Sequence, residues 1–331
     1  MKTAIITGIT GQDGAYLSRF LLEKNYKVIG ITRNLHSGNF LGLKYLNVKN
    51  DVELVEANLL DFSNIIRFLE KYQPDEIYNL AAQSSVGLSF EQPIGTLEFN
   101  IISTANIVEA VRIINKNIKV YQSSSSEMYG NIDVNKLPID EDFIIHPSSP
   151  YGISKASAHW ICVNYREAYD MYISCGILFN HESVLRRSNF VTKKILSSAL
   201  KIKNGELDKI TVGNTSIKRD WGYAPEYVKT MWKMLNVSQP DDYVICSGEA
   251  NLLQDFINKV FNKLNLEPEK FIVTDKTLFR PVDLKVIYGN SAKAKEKLGW
   301  DYNISFDELI EKLIEDEIQF DAWLKKNRIN I

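Results

Sequence analysis

Lys2–Gly14 reads KTAIITGITGQDG. Its first six residues, small and β-branched, form a buried strand ending at Thr7, and glycines at 8, 11 and 14 punctuate the turn that follows. Over Ala15–Leu22 apolar residues recur at helical spacing, so the glycine loop lies between a strand and a helix. Glycines there permit a tight turn, close backbone approach to a pyrophosphate and close helix packing. The helix N-terminus then offers free N–H groups and a favourable dipole to the anion. Gly8, Gly11 and Gly14, with Gln12 and Asp13 between them, are the expected cradle of a dinucleotide. A bare glycine pattern is an ordinary turn; its place at the head of a strand–helix series gives it meaning.

That series continues outward. Lys27–Thr32 (KVIGIT) is the second strand, followed by strand-like Asp51–Glu56, helical Phe62–Tyr72, strand-like Glu76–Ala81, helical Thr96–Ile114 and strand-like Ile118–Ser123. A helix from Tyr151 to about Tyr169 and a strand at Ile173–Phe179 complete it. Strands alternating with helices predict right-handed βαβ units, hence an α/β fold built on a Rossmann-type doubly wound parallel sheet. After residue 183 the rhythm changes: Phe190–Lys203 is helical, Ile210–Asp220 is strand-like around a Gly213-Asn214 turn, and Leu252–Leu264 and Phe306–Lys325 are amphipathic helices. The chain is therefore expected to hold a dinucleotide-binding domain over 1–183. A smaller mixed C-terminal substrate lobe spans 184–331, the two interleaved around a cleft at the carboxyl ends of the strands.

Composition narrows the function classes. The 331 residues carry 39 Lys+Arg against 41 Asp+Glu, a net charge of −2, so no overall field draws nucleic acid or anionic membrane, and any anion must be met locally. Hydrophobic residues at 45% exclude a largely disordered chain. Cys162, Cys175 and Cys246 are scattered, which argues against a disulfide framework or a metal site and for a reducing, cytoplasmic setting. No apolar run reaches the ~20 residues of a membrane span, and no signal-peptide pattern opens the chain.

Two further stretches carry chemistry. At the end of the second strand stands Thr32-Arg33-Asn34, with no acid to take ribose hydroxyls and one cation suited to a 2′-phosphate, which favours NADP over NAD. Tyr151-Gly152-Ile153-Ser154-Lys155 puts a phenol and an ammonium on one helix face, an arrangement in which the cation lowers the phenol pKa for proton exchange. Upstream, SSSSEMYG (123–130) follows the fifth strand, and Glu127 within it is placed to act as a base on carbon.

These stretches together resemble the extended short-chain dehydrogenase/reductases. More closely, the chain is similar to the GDP-mannose 4,6-dehydratase family over nearly its whole length, through ITGQDGAYL, QPDEIYNLAAQSSV, SSSSEMYG, SPYGISK, VNYREAYDMY, GILFNHES, FVTKKI, RDWGYAPEYVK, FRPVD and AKEKLGW. The resemblance implies a redox-neutral lyase reaction on a GDP-linked manno-sugar. Hydride passes from C4 to bound NADP while Tyr151 takes the proton and Lys155 tunes it; Glu127 removes the C5 proton as water leaves C6; the hydride returns to C6.

Carried over by position, the resemblance makes Ser125, Glu127, Tyr151 and Lys155 catalytic. It adds Asn58, Leu59, Leu80, Ala82, Ser84, His181 and Arg186 to Tyr151, Lys155, Arg33 and the glycine loop as cofactor contacts. Ser84, Ser125, Glu127, Asn180, Arg219 and Arg280 are the expected substrate contacts, the two arginines suited to a diphosphate. Some positions depart from the family pattern. Ser125 stands where a Thr is usual, leaving room at C6 for a GDP-manno-heptose as well as GDP-mannose; Asn58 replaces an Asp, and Gly95 a larger residue. Arg33–Leu43 matches only part of the loop through which family tetramers share cofactor contacts, so homodimer and homotetramer both stay open. A nucleotide-sugar reductase or 4-epimerase, and a silent NADP-binding sensor, are the competing readings; Glu127 speaks against the first and the Tyr151–Lys155 pair against the second.

Overall fold

The computed structural model describes residues 1–36 and 39–329. Its centre is a seven-stranded sheet of β1 (Thr3–Thr7), β2 (Lys27–Thr32), β3 (Glu53–Glu56), β4 (Glu76–Asn79), β5 (Lys119–Ser125), β6 (Ile173–Leu178) and a last strand, Asp242–Ile245. The spatial order is Asp242–Ile245, β6, β5, β4, β1, β2, β3, with every pairing parallel. The strand order reverses between β1 and β4, and a crevice for ligands opens outside the carboxyl ends at such a point.

Parallel strands covered on both faces read as continuous apolar runs, and all six residues of β6 are buried. One face packs against the helices Gln12–Glu23 and Ala224–Leu235 through Leu17, Leu21, Met231 and Met234. The other is covered by helices Phe62–Tyr72, Pro93–Ile114 and Pro150–Tyr169 through Ile65, Leu69, Val108, Val111 and Cys162. A third core, containing Ile195, Trp221, Phe256, Phe261, Leu309 and Leu313, belongs to the C-terminal lobe.

Ala224–Leu235 and Asp242–Ile245 come from beyond residue 183 yet complete the central sheet and its cover. Strand Asn180–Glu182 in turn leaves the sheet to pair with Trp221–Tyr223. Among the element boundaries that differ from the sequence reading, two bear on the site. β5 runs two residues further, because Ser123–Ser125 pair with Gly176–Leu178 and the ladder keeps a polar run extended. The stretch Ile210–Asp220 splits at its turn into Ile210–Val212 and Lys218–Arg219, which join different small sheets. Among the described residues no helix is long and apolar enough to cross a membrane.

Candidate active site

The glycine loop sits at the reversal point. Gly8 has φ +69°, and a Cβ there would lie 2.9 Å from the Ala81 nitrogen, so only glycine lets β1 turn this close to the end of β4. Gly11 occupies the N-cap of helix Gln12–Glu23 with no side-chain cap, leaving the first N–H groups open to an anion, and Gly14 is buried against the loop. Asp13, an acid in that first turn, would repel a phosphate on its own. The fold answers with His181, whose Nε2 lies 2.9 Å from the Asp13 carboxylate. Burial opposes both charges, but each outweighs it for the other: the carboxyl pKa is lowered and the imidazole pKa raised. Gln12 locks the pair, donating to the His181 carbonyl (3.1 Å) and accepting from the Ser183 hydroxyl (2.8 Å).

Beside this loop, the Thr7 hydroxyl accepts the N–H groups of Leu80 and Ala81 (both 3.1 Å) and donates to Asn79 (2.8 Å). Leu80 and Ala82 are half-buried and Ser84 is exposed on the loop so formed. Sequence reasoning missed what anchors it. Asn100 accepts from the Gln83 N–H (2.8 Å) and donates to the Gln83 carbonyl (3.0 Å) and to Ser154 (2.9 Å), joining the loop to the helix of Tyr151. The one available signal was a polar residue on the buried face of an apolar helix.

Along the rim, Arg33 is exposed at the end of β2 with its guanidinium 5.9 Å from the Phe99 ring. Asn58 is exposed just past β3, accepting from the Leu60 N–H, and Leu59 beside it is buried. Gly95 is exposed with no atom within 4 Å of a would-be side chain. Within Arg33–Leu43, Ser37 and Gly38 lie outside the described residues.

Helix Pro150–Tyr169 starts at the Ser149 cap, which accepts the Gly152 N–H, with Pro150 in its first turn. A Cβ on Gly152 would stand 2.6 Å from the Glu127 carbonyl; without one, the serine segment and the helix meet closely. Burial pushes the Tyr151 phenol up to about 12, while the Ser125 hydroxyl and the Arg186 charge pull it down. The YxxxK spacing anticipates the Lys155 ammonium beside that phenol. In the structure Lys155 donates to the Ser123 carbonyl (2.5 Å), and Arg186 is the cation acting on Tyr151. Burial brings Lys155 down to about 8. Arg186 stacks on Phe190 at 3.8 Å; its buried Nε has an ion-pair contact with Glu182 but no aligned hydrogen bond.

Ser125, the last residue of β5, accepts the Glu127 N–H (3.3 Å) and turns the chain so that Glu127 follows half-buried. Burial raises the Glu127 pKa, and Arg219 and Arg280 oppose that rise. Arg219 is buried, donating to the carbonyls of Leu284 (2.6 Å) and Lys218 (3.0 Å) and reaching Asp283 at 3.4 Å. Arg280 is exposed and lies 3.8 Å from the same Asp283, a residue the sequence reading left out. Asn180, half-buried, pairs in register with Trp221, two residues from Arg219. The Glu127 carboxylate thus faces two guanidinium groups, with the Tyr151 phenol coupled to it, an arrangement able to move protons at one end and to hold an anion at the other.

Known proteins resemble this chain over nearly its whole length. The family model described as GDP-mannose 4,6 dehydratase matches residues 5–313. GDP-mannose 4,6 dehydratase 1 of Arabidopsis thaliana is 42% identical over 328 residues, covering 96% of this chain and 90% of that protein. GDP-mannose 4,6-dehydratase of Yersinia enterocolitica is 39% identical, covering 100% and 98%. Among solved structures, RMD from Pseudomonas aeruginosa complexed with NADPH superimposes with a TM-score of 0.79 at 22% identity, covering 96% of this chain and 100% of that one. dTDP-glucose 4,6-dehydratase from Bacillus anthracis in complex with NAD gives 0.84 at 20% identity, covering 98% and 99%. At such identities the structures speak for the fold alone, a Rossmann-type parallel α/β sheet.

Proposed function

Because the chain belongs to the GDP-mannose 4,6-dehydratase family, we propose that it converts GDP-mannose into a GDP-4-keto-6-deoxy sugar. The observation that carries this reading is Glu127. It is a half-buried carboxylate with a raised pKa, coupled to Tyr151 on one side and to Arg219 and Arg280 on the other. A reductase or 4-epimerase has no use for a base there.

The cradle fits a nicotinamide dinucleotide: an uncapped helix N-terminus, a glycine turn that a Cβ would block, and an Asp13 charge neutralised by His181. Gly8, Gly11, Gln12, Asp13, Gly14, Leu80, Ala82, Ser84, His181 and Arg186 would hold it, with Arg33, Asn58 and Leu59 on its adenosine side. When bound, it supplies a hydride acceptor that becomes the donor in the same turnover. NADP is the form proposed, since Arg33 is exposed at the end of β2, where it can meet a 2′-phosphate, and nearby Glu56 already accepts the Leu35 N–H.

The residues of the chain manage the protons. Tyr151, lowered by Ser125 and Arg186 from what burial alone would impose, takes the C4 hydroxyl proton, and Ser125 orients that oxygen. Lys155, held on the Ser123 carbonyl, keeps positive charge beneath the reacting sugar. Once C4 is a ketone the C5 proton is acidic. Glu127 removes it and delivers a proton to the departing C6 hydroxyl, a double duty suited to a carboxyl whose pKa burial has raised. Arg219, Arg280 and Asn180 receive the GDP diphosphate and sugar.

Ser125 lacks a methyl group, so GDP-D-glycero-D-manno-heptose is the second substrate to try. A homodimer or homotetramer working in the cytoplasm completes the proposal, supported by exposed Ile153, Trp160, Ile94 and Ile102 on two adjacent helices. The test is product analysis with both GDP-sugars: a base-labile 4-keto sugar with no net nicotinamide absorbance change is expected. A lasting absorbance rise would mean a simple dehydrogenase.

A further inference from the structure

We propose that His159 is a positioning residue that holds the serine segment at the end of β5 against the helix of Tyr151 and Lys155. Tyr151, Lys155 and His159 stand at successive i, i+4 positions, so they share one helix face. That face meets three consecutive serines. Ser123 gives its carbonyl to Lys155, the Ser125 hydroxyl acts on the Tyr151 phenol, and between them the Ser124 hydroxyl lies 3.0 Å from His159 Nδ1. Strand side chains alternate, so Ser124 is turned away from Ser123 and Ser125 and into the helix layer.

Behind His159 the support continues. Its Nε2 lies 3.7 Å from Asp242, which Arg166 grips with two bonds of 2.8 and 2.9 Å while also donating to the Ile173 carbonyl. One polar chain thereby crosses β5, the catalytic helix, β6 and the strand Asp242–Ile245. Two other roles fit less well. Ser124 is only 2% exposed, so a serine–histidine–aspartate nucleophile here would meet no substrate. His159, Cys175 and Asp242 bring ligand-type atoms within 4.8 Å, but both Asp242 oxygens are on the guanidinium, whose charge repels a metal cation.

Without His159, the Ser124 hydroxyl is buried with no partner and the end of β5 is free to shift. The groups that move are the acceptor of Lys155 and the partner of Tyr151, so the loss falls on the chemical step more than on substrate binding.

The test compares His159→Leu, His159→Asn and Ser124→Ala in the full-length protein. His159→Leu and Ser124→Ala are expected to lower kcat about tenfold with KM for the GDP-sugar within about twofold, and to speed amide exchange over residues 123–127. His159→Asn, whose amide reaches Ser124, restores most of both. The rate readout rests on the dehydratase reading, whereas the exchange readout needs no substrate; a wild-type protein that makes no 4-keto product overturns the first reading and leaves this one testable. If His159→Leu does not fold, Ser124→Ala decides. Unchanged kcat and exchange in Ser124→Ala, or a His159→Asn variant no better than His159→Leu, overturns the assignment.

Discussion

The two halves of the candidate site are built differently. On the sheet side, Ser125, Glu127, Tyr151 and Lys155 come from one strand end and one helix, tied together by Lys155 on the Ser123 carbonyl and the Gly152–Glu127 approach. On the lobe side, Arg219 sits in a two-residue strand and Arg280 on an irregular, exposed segment, joined mainly through Asp283. Proton transfer tolerates displacements of a few tenths of an ångström and little more, whereas a guanidinium attracts a diphosphate over a wider range. The proton-donating and accepting groups stand on a long strand and a long helix; the two cations stand on a two-residue strand and a loop.

That contrast can be broken in order of expected effect. Tyr151→Phe should lower product formation by about 10³-fold with the dinucleotide still bound, measured by turnover and by cofactor retention. Glu127→Gln should cost about 10²-fold or more and abolish solvent-proton exchange at C5; unchanged turnover would defeat the dehydration chemistry. Because burial raises its folded-state pKa, Glu127 favours the fold below the ordinary carboxylate range and loses that contribution as pH rises through the raised value. Glu127→Gln should therefore melt higher than wild type at neutral pH.

In the other half of the site, Arg219→Met should raise KM about tenfold and lower stability by ~3 kcal/mol, since Glu127 and Asp283 lose a buried counter-charge. Arg280→Met should raise KM only about threefold, in a salt-dependent way, with little effect on melting. It should also sharpen the pH profile. Removing that positive charge disfavours the Glu127 carboxylate, so the acid limb of kcat moves to higher pH. If Arg280→Met lowered kcat as much as Glu127→Gln, the division between a chemical half and a charge half would fall.

Much of the sheet side was legible in the primary structure because its signals are local. A strand, a glycine turn and a helix N-terminus lie within Lys2–Gly14, and Tyr151 and Lys155 are one helical turn apart. The polar supports were not legible. Asn100 meets Gln83 and Ser154 across 17 and 54 residues, and His159 meets Ser124 across 35. Nothing near His159 in sequence distinguishes it from an ordinary core histidine. β5 also ended later than its apolar pattern, since Ser123–Ser125 are held as strand by pairing with β6 rather than by their own propensity.

Periodicity, glycine spacing and the order of motifs were enough, in one dimension, for the doubly wound sheet and the glycine turn at its reversal point, because each depends on neighbours within a turn or a strand. Tertiary structure alone decided which charge meets which: His181 with Asp13, Lys155 with the Ser123 carbonyl rather than the phenol, Arg186 with Tyr151, and Arg219 and Arg280 with Glu127. Electrostatic coupling depends on distance and burial after folding, and sequence separation says little about either.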